Sequence, residues 1–380
     1  MNISDKEIQY GLTFYPFIKK DFDKYEDLND AYYHILADLL KYPKSWLYFV
    51  WSKRGPGKTY SMLWMCYYND IKFIYMKRTN KDANHILENH PELDFDPSPY
   101  KDLKRDKGLN IVGVKIDDGI GGFYEADTEG NPKKLLCYVL SFNAVQAYKG
   151  FGFSECEFIC FDEVIPQKGE RVKKSEGENL LDLYMTVSRD RQKRGRKPLK
   201  LVLFANAEEI STPVTRELEI IDDIADLNAS GKSHILTPRN MLLHHITNEE
   251  VPITENEMDG IYEGMKGTAW WDKAFGGYFS GNDFTNISKR SIRRSKPLIH
   301  LIHRKHDYFI YFNEEKAKYY MCSTPAKCQF NYNLDRENEQ KLFYYEHAID
   351  LRDACIEERF KFEKYSMYDL LINYRKFFDI

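Results

Sequence analysis

The chain has 380 residues, of which 15% are aromatic, and its formal net charge is -4. A chain of this length exceeds one ordinary hydrophobic core and predicts two domains, while its aromatic content excludes general disorder. The small negative charge excludes a chain-wide attraction to nucleic acid, so any surface that binds it has to be local.

The seven cysteines indicate free thiols in a reducing compartment, because they are odd in number, scattered and without zinc-site spacing. No apolar run approaches the length of a membrane span, and the N-terminal residues MNISDKEIQYGL lack a signal-peptide core. We therefore expect a soluble intracellular protein without a membrane partner.

The first strong pattern in the chain is a strand, a loop and a helix in the order that binds a nucleoside triphosphate. The apolar run Trp46–Trp51 predicts the strand, residues 52–59 read S-K-R-G-P-G-K-T, and residues 60–66 continue a helical pattern. Backbone N–H groups of such a loop point at phosphates, and the helix dipole favours their charge. Lys58 would reach the β- and γ-phosphates, and the Thr59 hydroxyl would bind Mg²⁺.

One position of this loop departs from the usual pattern, which opens with glycine where this chain has Ser52. Gly55, Gly57, Lys58 and Thr59 are in place, so the departure affects the expected shape of the loop more than its chemistry. An ordinary strand-turn-helix remains the alternative interpretation.

Further short apolar strands separated by helical patterns indicate an α/β fold with a mainly parallel sheet flanked by helices. A Gly-rich turn region is expected between the strands Asn110–Lys115 and Leu135–Phe142. The predicted strands are Lys72–Met76, Asn110–Lys115, Leu135–Phe142, Glu157–Phe161, Leu199–Ala205 and Met241–Ile246, and helices are predicted over Asp27–Leu40 and residues 176–191.

Two of these strands end in polar side chains that suit phosphate chemistry. Asp162 and Glu163 follow one strand, so Asp162 could hold the water shell of Mg²⁺ beside Thr59, and Glu163 could polarise the attacking water. Hydrolysing motors usually carry this second acid, whereas switches and small-molecule kinases rarely do. Asn206 ends another strand and could sense the γ-phosphate. The alternatives are a solvated strand end for the acids and a simple strand cap for Asn206.

Two clusters of positive charge stand out in a chain of net negative charge. The first, Arg189–Lys200, begins at the end of a predicted helix and leads into the strand that ends at Asn206. It could supply an arginine to a neighbouring subunit's γ-phosphate, or it could contact nucleic acid phosphates. The second, Lys289–Lys296, could contact nucleic acid or form a solvated linker face.

After about residue 248, the pattern of short apolar strands gives way to Glu-rich and Gly-rich stretches. Residues 249–283, which include the pair Trp270-Trp271, are predicted to form a linker segment with some structure of its own. We therefore divide the chain into domains 1–248 and 284–380. The second domain is predicted to contain the strands Leu298–His303, Tyr308–Phe312 and Tyr319–Cys322 and the helices Glu346–Glu363 and Tyr368–Phe378.

Five motifs, taken in order and spacing, resemble the phi-29-type phage DNA-packaging motor ATPases, which are relatives of the large terminase subunit. The resemblance extends from the phosphate loop to the last helix. The motifs are R-G-P-G-K-T-Y-S-M at 54–62, F-I-Y-M-K-R at 73–78, F-D-E at 161–163, L-L-D-L-Y-M-T-V-S-R-D-R at 180–191 and A-N-A at 205–207.

The resemblance implies a role for individual residues. Asp162 would be the magnesium carboxylate, Glu163 and Lys58 catalytic groups, and Arg189 the arginine offered in trans to the next subunit. Nucleotide-binding residues would be Arg54, Gly55, Gly57, Lys58, Thr59 and Asn206, with Thr59 and Asp162 as metal ligands. Lys81 and Lys149 would be candidates for contact with DNA or a neighbouring subunit. Lys193 and Arg194 of the first basic cluster are further candidates for such contacts.

The resemblance also implies a fold and a function. The fold would be an ASCE-type P-loop sheet followed by a small α+β RNase H-like domain that has lost nuclease activity, because Leu298–His303 has no aspartate where a two-metal nuclease needs one. The protein would hydrolyse ATP with Mg²⁺ and move double-stranded DNA into a procapsid in the host cytoplasm. Its partners would be the portal, further copies in a ring of five, and in some relatives a structural RNA.

Three other functions stay open at this point. They are a P-loop nucleotide or small-molecule kinase, a non-catalytic nucleotide-gated adaptor in which Ser52 marks lost activity, and a nuclease-competent terminase. Glu163 argues against the kinase, and the absence of a prominent carboxylate cluster after residue 284 argues against the nuclease.

Overall fold

A computed structural model describes residues 3–20, 32–88, 95–143, 152–167, 169–170, 172–252, 260–279 and 281–378. The chain forms two compact units. The first comprises Met1–Glu217 and Asp226–Gly281, and the second comprises Leu218–Ala225 and Asn282–Ile380.

The first unit is built on one mixed sheet, whose described strands have the order β3-β4-β5-β2-β6-β7-β1-β9-β8. The strands from β5 to β9 in this order pair in parallel, and β3, β4 and β8 pair antiparallel at the two ends. The strands are β1 Leu47–Ser52, β2 Phe73–Lys77, β3 Ile111–Asp117, β4 Ile120–Ala126, β5 Pro132–Ser141, β6 Phe158–Phe161, β7 Lys200–Asn206, β8 His234–Leu236 and β9 Met241–Ile246.

Helices cover this sheet because its central strands are apolar along their whole length. Every residue of β1, β6 and β9 is buried, as expected for parallel strands covered on both faces. The helices are α1 Asp5–Phe14, α2 Ile35–Lys41, α3 Lys58–Tyr68, α4 Asn80–His85, α5 Lys101–Lys107, α6 Glu176–Ser188, α7 Pro213–Glu217, α8 Ile221–Ser230, α9 Gly260–Met265 and α10 Ala269–Gly276, and residues 221–225 of α8 are grouped with the second unit.

The region expected to be a Gly-rich turn contains a strand instead. β4 lies between β3 and β5 and pairs with both. Its glycines serve close packing: a methyl group on Gly121 would lie 2.4 Å from the backbone oxygen of Val114. The sequence misled because glycine signals a turn more often than a tightly packed strand.

The segment predicted to be a linker contains α9 and α10 and belongs to the first unit as far as Gly281. Beyond α10, Gly277 has a φ of 65°, and a methyl group on it would lie 2.6 Å from the backbone nitrogen of Lys53. The ring of Phe279 lies 5.8 Å from that of Trp51. This segment therefore packs against the end of β1 and the start of the loop that follows it.

The second unit has its own sheet, whose described strands have the order β13-β10-β11-β12-β14. β10, β11 and β12 form the predicted antiparallel meander, and β13 and β14 add in parallel at its edges. The elements are β10 Lys296–His303, β11 His306–Asn313, β12 Lys318–Cys322, β13 Phe330–Asn333, α11 Glu337–Phe343, a π-helical turn Tyr344–Ala348, α12 Ile349–Ile356, β14 Phe360–Phe362, α13 Tyr365–Ile372 and α14 Tyr374–Phe377.

The helix predicted over Glu346–Glu363 is wrong at its C-terminal end. α12 stops at Ile356, Glu358 takes a left-handed φ of 56°, and the chain enters β14. Phe360 and Phe362 are both fully buried there, so packing of the two phenylalanines in the sheet outweighs the local helical pattern. Among the described residues, none of the helices in either unit has the length and apolarity that crossing a bilayer requires.

Candidate active site

The register of the parallel strands brings the polar strand ends of the first unit to one edge of its sheet. Ser52 at the end of β1 is paired with Asn206 at the end of β7. Met76 of β2 is paired with Phe161 of β6, so the residues that follow them, Lys77 and Asp162, are neighbours. In open parallel sheets, ligands bind at this carboxyl edge.

The loop between β1 and α3 has the backbone that an anion-binding turn needs. Gly55 and Gly57 have φ values of 86° and 94°, which side-chain-bearing residues rarely adopt. Gly57 is the N-cap of α3 and provides no side-chain cap, so the first N–H groups of this eleven-residue helix have no acceptor from a capping side chain. Helix N-termini of this kind bind phosphate groups.

Lys58 begins α3 and its side chain is buried at this edge. The Lys58 Nζ donates to Ser52 Oγ at 2.5 Å and to Asn206 Oδ1 at 3.5 Å. Burial lowers the pKa of Lys58 to about 8, although the charges of Asp162 and Glu163 oppose the shift. The serine that departs from the usual loop pattern therefore provides an acceptor for the Lys58 ammonium group.

Thr59 and Asp162 meet at the same edge. The Thr59 hydroxyl donates to Asp162 Oδ1 at 3.2 Å, and Tyr75 donates to Asp162 Oδ2 at 2.6 Å. Lys77 Nζ lies 3.2 Å from the same carboxylate. Burial alone would raise the pKa of Asp162. The Lys77 charge, the hydrogen bonds from Tyr75 and Lys77, and the Lys58 charge outweigh this effect and hold the pKa below its usual value.

Glu163 follows in a left-handed conformation, with a φ of 59°. Its side chain is 52% exposed, and its carboxylate lies 3.3 Å from Lys77 Nζ. Burial favours the neutral amine of Lys77, yet the two acids outweigh it and raise the Lys77 pKa. Lys77 is thus a charged bridge between the paired acids.

A cleft of about 830 Å³ opens over these residues. It is bounded by the phosphate loop, the acid pair, the residues before α2 and the end of α5. The lining residues are Tyr32, Tyr33, His34, Arg54, Gly55, Pro56, Gly57, Lys58, Thr59, Tyr60, Ser61, Trp64, Asp102, Arg105, Asp106, Lys107, Asp162, Glu163, Gln167, Phe204, Ala205 and Asn206.

The remaining predicted site residues lie elsewhere. Arg189 is exposed at the C-terminal end of α6 and is not among the described residues that line the cleft. Lys81 is exposed in the first turn of α4. Lys193 and Arg194 are exposed in a short 3₁₀ turn, where Lys193 lies 3.1 Å from Asp190. Lys149 lies outside the described residues.

One arginine of the first basic cluster is structural. The side chain of Arg191 is 2% exposed and its guanidinium pairs with Glu157 at 2.5 Å. It also donates to the backbone oxygens of Ser154, Cys156 and Lys197. Arg191 therefore anchors the segment that carries the exposed basic residues.

Sequence reasoning missed the polar groups that support the acid pair, above all Lys77 and Tyr75 of β2. A signal was present, because the strand predicted over 72–76 runs directly into Lys77-Arg78. It also missed Arg78, whose guanidinium is buried and bonds the backbone oxygen of Val164 and the carboxylate of Glu176. Their partners could be identified only once the strand order was known.

No protein-family model matches this sequence, and no curated protein matches it significantly. Two solved phage structures share its fold. A chain of the bacteriophage Phi-29 viral genome packaging motor assembly is 18% identical, with a TM-score of 0.60 over 92% of this chain and 100% of that chain. The Phi-28 DNA packaging motor is 15% identical, with a TM-score of 0.52 over 89% of this chain and 95% of that chain.

These similarities confirm the predicted fold and, at the level of the fold, the predicted resemblance. The first unit has an α/β fold with a large mixed sheet flanked by helices, as in these two structures.

Proposed function

We propose that this protein is an ATP-hydrolysing motor that moves double-stranded DNA into a phage procapsid. The observation that carries the proposal is the meeting of Lys58, Thr59 and the acid pair at one sheet edge, with Thr59 Oγ1 3.2 Å from Asp162 Oδ1. The fold shared with two packaging motors adds support. The ring, the trans arginine and the DNA contacts are parts of this proposal.

The residues of the chain divide the chemistry between them. The N–H groups at the start of α3 and the ammonium of Lys58 bind and orient the phosphates. Glu163 lines the same cleft, where it can orient a water molecule and accept its proton. Arg54 is exposed at the rim and can contact the outer phosphates or the ribose side of the ligand.

The donor atoms beside Lys58 fit a magnesium ion. Mg²⁺ prefers oxygen ligands and is commonly bound by one or two carboxylates, water and substrate phosphates. Thr59 Oγ1 and Asp162 Oδ1 are such oxygens, and the depressed pKa of Asp162 keeps its carboxylate charged. When bound there, the ion would neutralise charge on the triphosphate.

Arg189 fits a role in a neighbouring subunit better than one in its own. It is exposed at the end of α6 and does not line the cleft within the described chain. A ring of identical subunits would present it to the γ-phosphate of the next subunit. We propose a homopentamer that assembles on the portal in the host cytoplasm.

The DNA contacts belong to the exposed basic residues. Lys81, Lys193 and Arg194 remain candidates, as does Lys149 outside the described residues. The C-terminal unit would lack nuclease activity, since β10 carries no aspartate.

Phosphate release measured with and without duplex DNA tests the proposal. The wild-type protein should hydrolyse ATP, and duplex DNA should increase the rate. The rate should also depend cooperatively on protein concentration, as expected for a ring. Glu163→Gln should reduce turnover by about a hundredfold or more and retain ATP binding, because it removes only the proton acceptor. Glu178→Gln, an exposed glutamate in α6, is the matched control and should leave the rate unchanged.

Other results would select other functions. Transfer of the γ-phosphate to an acceptor other than water would identify a kinase. ATP binding without turnover in the wild type would identify a nucleotide-gated adaptor. DNA cleavage with Mn²⁺ that disappears on mutation of a C-terminal acid would identify a nuclease-competent terminase.

A further inference from the structure

A buried cluster of two histidines and two carboxylates lies in the first unit and has no part in the proposed hydrolysis. Asp38 comes from α2, His234 from β8, His244 from β9 and Glu250 from the turn after β9. The side chains of Asp38 and His244 are 0% and 1% exposed. The two imidazole rings are stacked with their centroids 3.8 Å apart.

Potential metal-ligand atoms of three residues lie together at one edge of the stacked rings. His244 Nδ1 lies 2.7 Å from Asp38 Oδ2, and His234 Nε2 lies 3.6 Å from Asp38 Oδ1. One ligand atom from each of the three residues can be chosen so that all lie within 4.8 Å of one another. Tetrahedral zinc holds such ligands at about 2.0–2.2 Å, which places them about 3.4 Å from one another. The longer separations here would have to shorten, and the 2.7 Å pair would have to lengthen, when an ion binds.

Two buried atoms at this edge, which lie 3.6 Å from each other, make no hydrogen bond within the described residues. Asp38 Oδ1 and His234 Nε2 have no hydrogen-bond partner in the described part of the chain. Buried polar atoms are nearly always satisfied, by protein, by water or by an ion. A carboxylate oxygen and an imidazole nitrogen that face each other without a hydrogen bond are both suited to a shared cation.

The opposite edge of the rings is already occupied as a metal site requires. His244 Nε2 lies 2.9 Å from Glu250 Oε2, and His234 Nδ1 lies 2.7 Å from Ser233 Oγ. At the ligand edge itself, Tyr33 supports the carboxylate, because its hydroxyl donates to Asp38 Oδ2 at 2.9 Å. Metal-bound histidines almost always donate their other ring N–H to an oxygen, which fixes the tautomer.

We propose that Asp38, His234 and His244 bind one divalent transition-metal ion, with Zn²⁺ the best match. Two imidazoles and a carboxylate suit zinc, and water would complete the tetrahedron. Binding would release the proton that His244 Nδ1 and Asp38 share in the metal-free form. This site is chemically distinct from the oxygen-only pair Thr59 and Asp162, which suits Mg²⁺.

The metal would link α2 to the β8–β9 hairpin, across about 200 residues of sequence. Tyr33 couples this link to the cleft: its hydroxyl bonds Asp38, and its backbone N–H donates to the carbonyl of Pro56 in the phosphate loop. The role we assign to the ion is therefore structural, to hold the residues before α2 against that loop.

Metal content and a cobalt spectrum test the proposal on the full-length protein without a histidine tag. Excess Mg²⁺ keeps Zn²⁺ from the phosphate site. After dialysis against chelator-treated buffer, the protein loaded with one equivalent of Zn²⁺ should retain about one ion per chain. The Co²⁺ form should show the strong visible absorption of a tetrahedral site, and Zn²⁺ should abolish it.

His234→Gln should lose this binding. The matched control is His303→Gln in the second unit, because a buried ring nitrogen of His303 likewise lies near a carboxylate without a hydrogen bond in the described chain; this variant should bind as the wild type does. The wild-type cobalt titration makes the proposal falsifiable even if His234→Gln fails to fold. Retention of less than a tenth of an ion per chain, or retention unchanged in a folded His234→Gln protein, would overturn it and leave the cluster as a buried ion-pair network.

Discussion

The lowered pKa of Lys58 predicts that nucleotide affinity depends on pH. In the nucleotide-free protein its pKa is lowered to about 8, so it loses its proton as the pH rises through 8. Bound phosphates favour the ammonium form, so binding above pH 8 takes up a proton and weakens as pH rises. The Kd for ADP should increase about tenfold between pH 7 and pH 9.

Titration calorimetry in buffers of different ionisation enthalpy measures both the affinity and the proton uptake. Uptake should approach one proton at pH 9 and be small at pH 7. Lys58→Arg is the control, because arginine keeps its charge in this range and should show a flat pH profile. A flat profile in the wild type would mean that Lys58 stays protonated without nucleotide.

At this scale the sequence identified the residues that meet at the proposed phosphate site and missed the residues that hold them in place. Lys58, Thr59 and the acid pair lie in a recognisable motif order, so residue type and spacing were sufficient. Ser52 looked like a defect, yet it accepts a hydrogen bond from Lys58. That contact depends on how the loop folds back on β1, which a linear pattern does not contain.

The segment after α10 packs against the start of the phosphate loop, residues 52–59, so a change in this segment should alter the loop. Gly277→Ala would place a methyl group 2.6 Å from the backbone of Lys53, and so must shift the start of that loop. Gly267→Ala is a matched control, because Gly267 also has a positive φ, 83°, but has nothing within 4 Å of its added methyl.

Both alanines introduce left-handed strain of about 1 kcal/mol, and Gly277→Ala should add about 1–3 kcal/mol from the clash. It should also weaken nucleotide binding by about tenfold, whereas Gly267→Ala should bind nucleotide normally. Urea unfolding and ADP titration measure the two effects. Equal effects of the two substitutions would mean that the segment yields without moving the loop.

The basic segment after α6 makes a second prediction at the scale of an element, because it combines a buried arginine with exposed ones. Arg191→Met would leave the carboxylate of Glu157 and three backbone oxygens without their partner, so we expect a loss of about 3–5 kcal/mol in the free energy of unfolding. Arg189→Ala removes an exposed side chain and should change stability by less than about 0.5 kcal/mol. Urea unfolding of the two variants gives the comparison, and similar losses would contradict it.

Helices and strands could be predicted where one local sequence pattern dominated. The predictions failed where contacts between residues distant in sequence determine the structure. β9 was predicted as Met241–Ile246 and has those bounds, because a continuous apolar run has few other places to lie. β4 was missed because Gly121, which reads as a turn residue, is needed there for close packing against β3. β14 was missed because Phe360 and Phe362 pair with β12, which is distant in sequence. The zinc ligands come from three elements whose adjacency only the folded sheet reveals.

At the scale of the whole molecule, the proposed ring makes the active site a property of two subunits. A subunit with Arg189→Ala keeps its own Lys58 and Glu163 but offers no arginine to its neighbour. A subunit with Glu163→Gln cannot hydrolyse ATP, yet it still offers Arg189. Each variant alone should therefore be inactive while retaining nucleotide binding.

Mixing the two inactive variants should restore hydrolysis if Arg189 acts in trans. In randomly assembled rings at equal concentrations, half the subunits have an intact Glu163, and half of those receive an arginine, so turnover should recover to about a quarter of the wild-type value. Phosphate release measures the recovery, and native mass spectrometry verifies that mixed oligomers form. If mixed rings form and stay inactive, Arg189 does not complete a neighbour's site, although the ATPase assignment would survive, because it depends on Lys58, Thr59 and the acid pair within one chain.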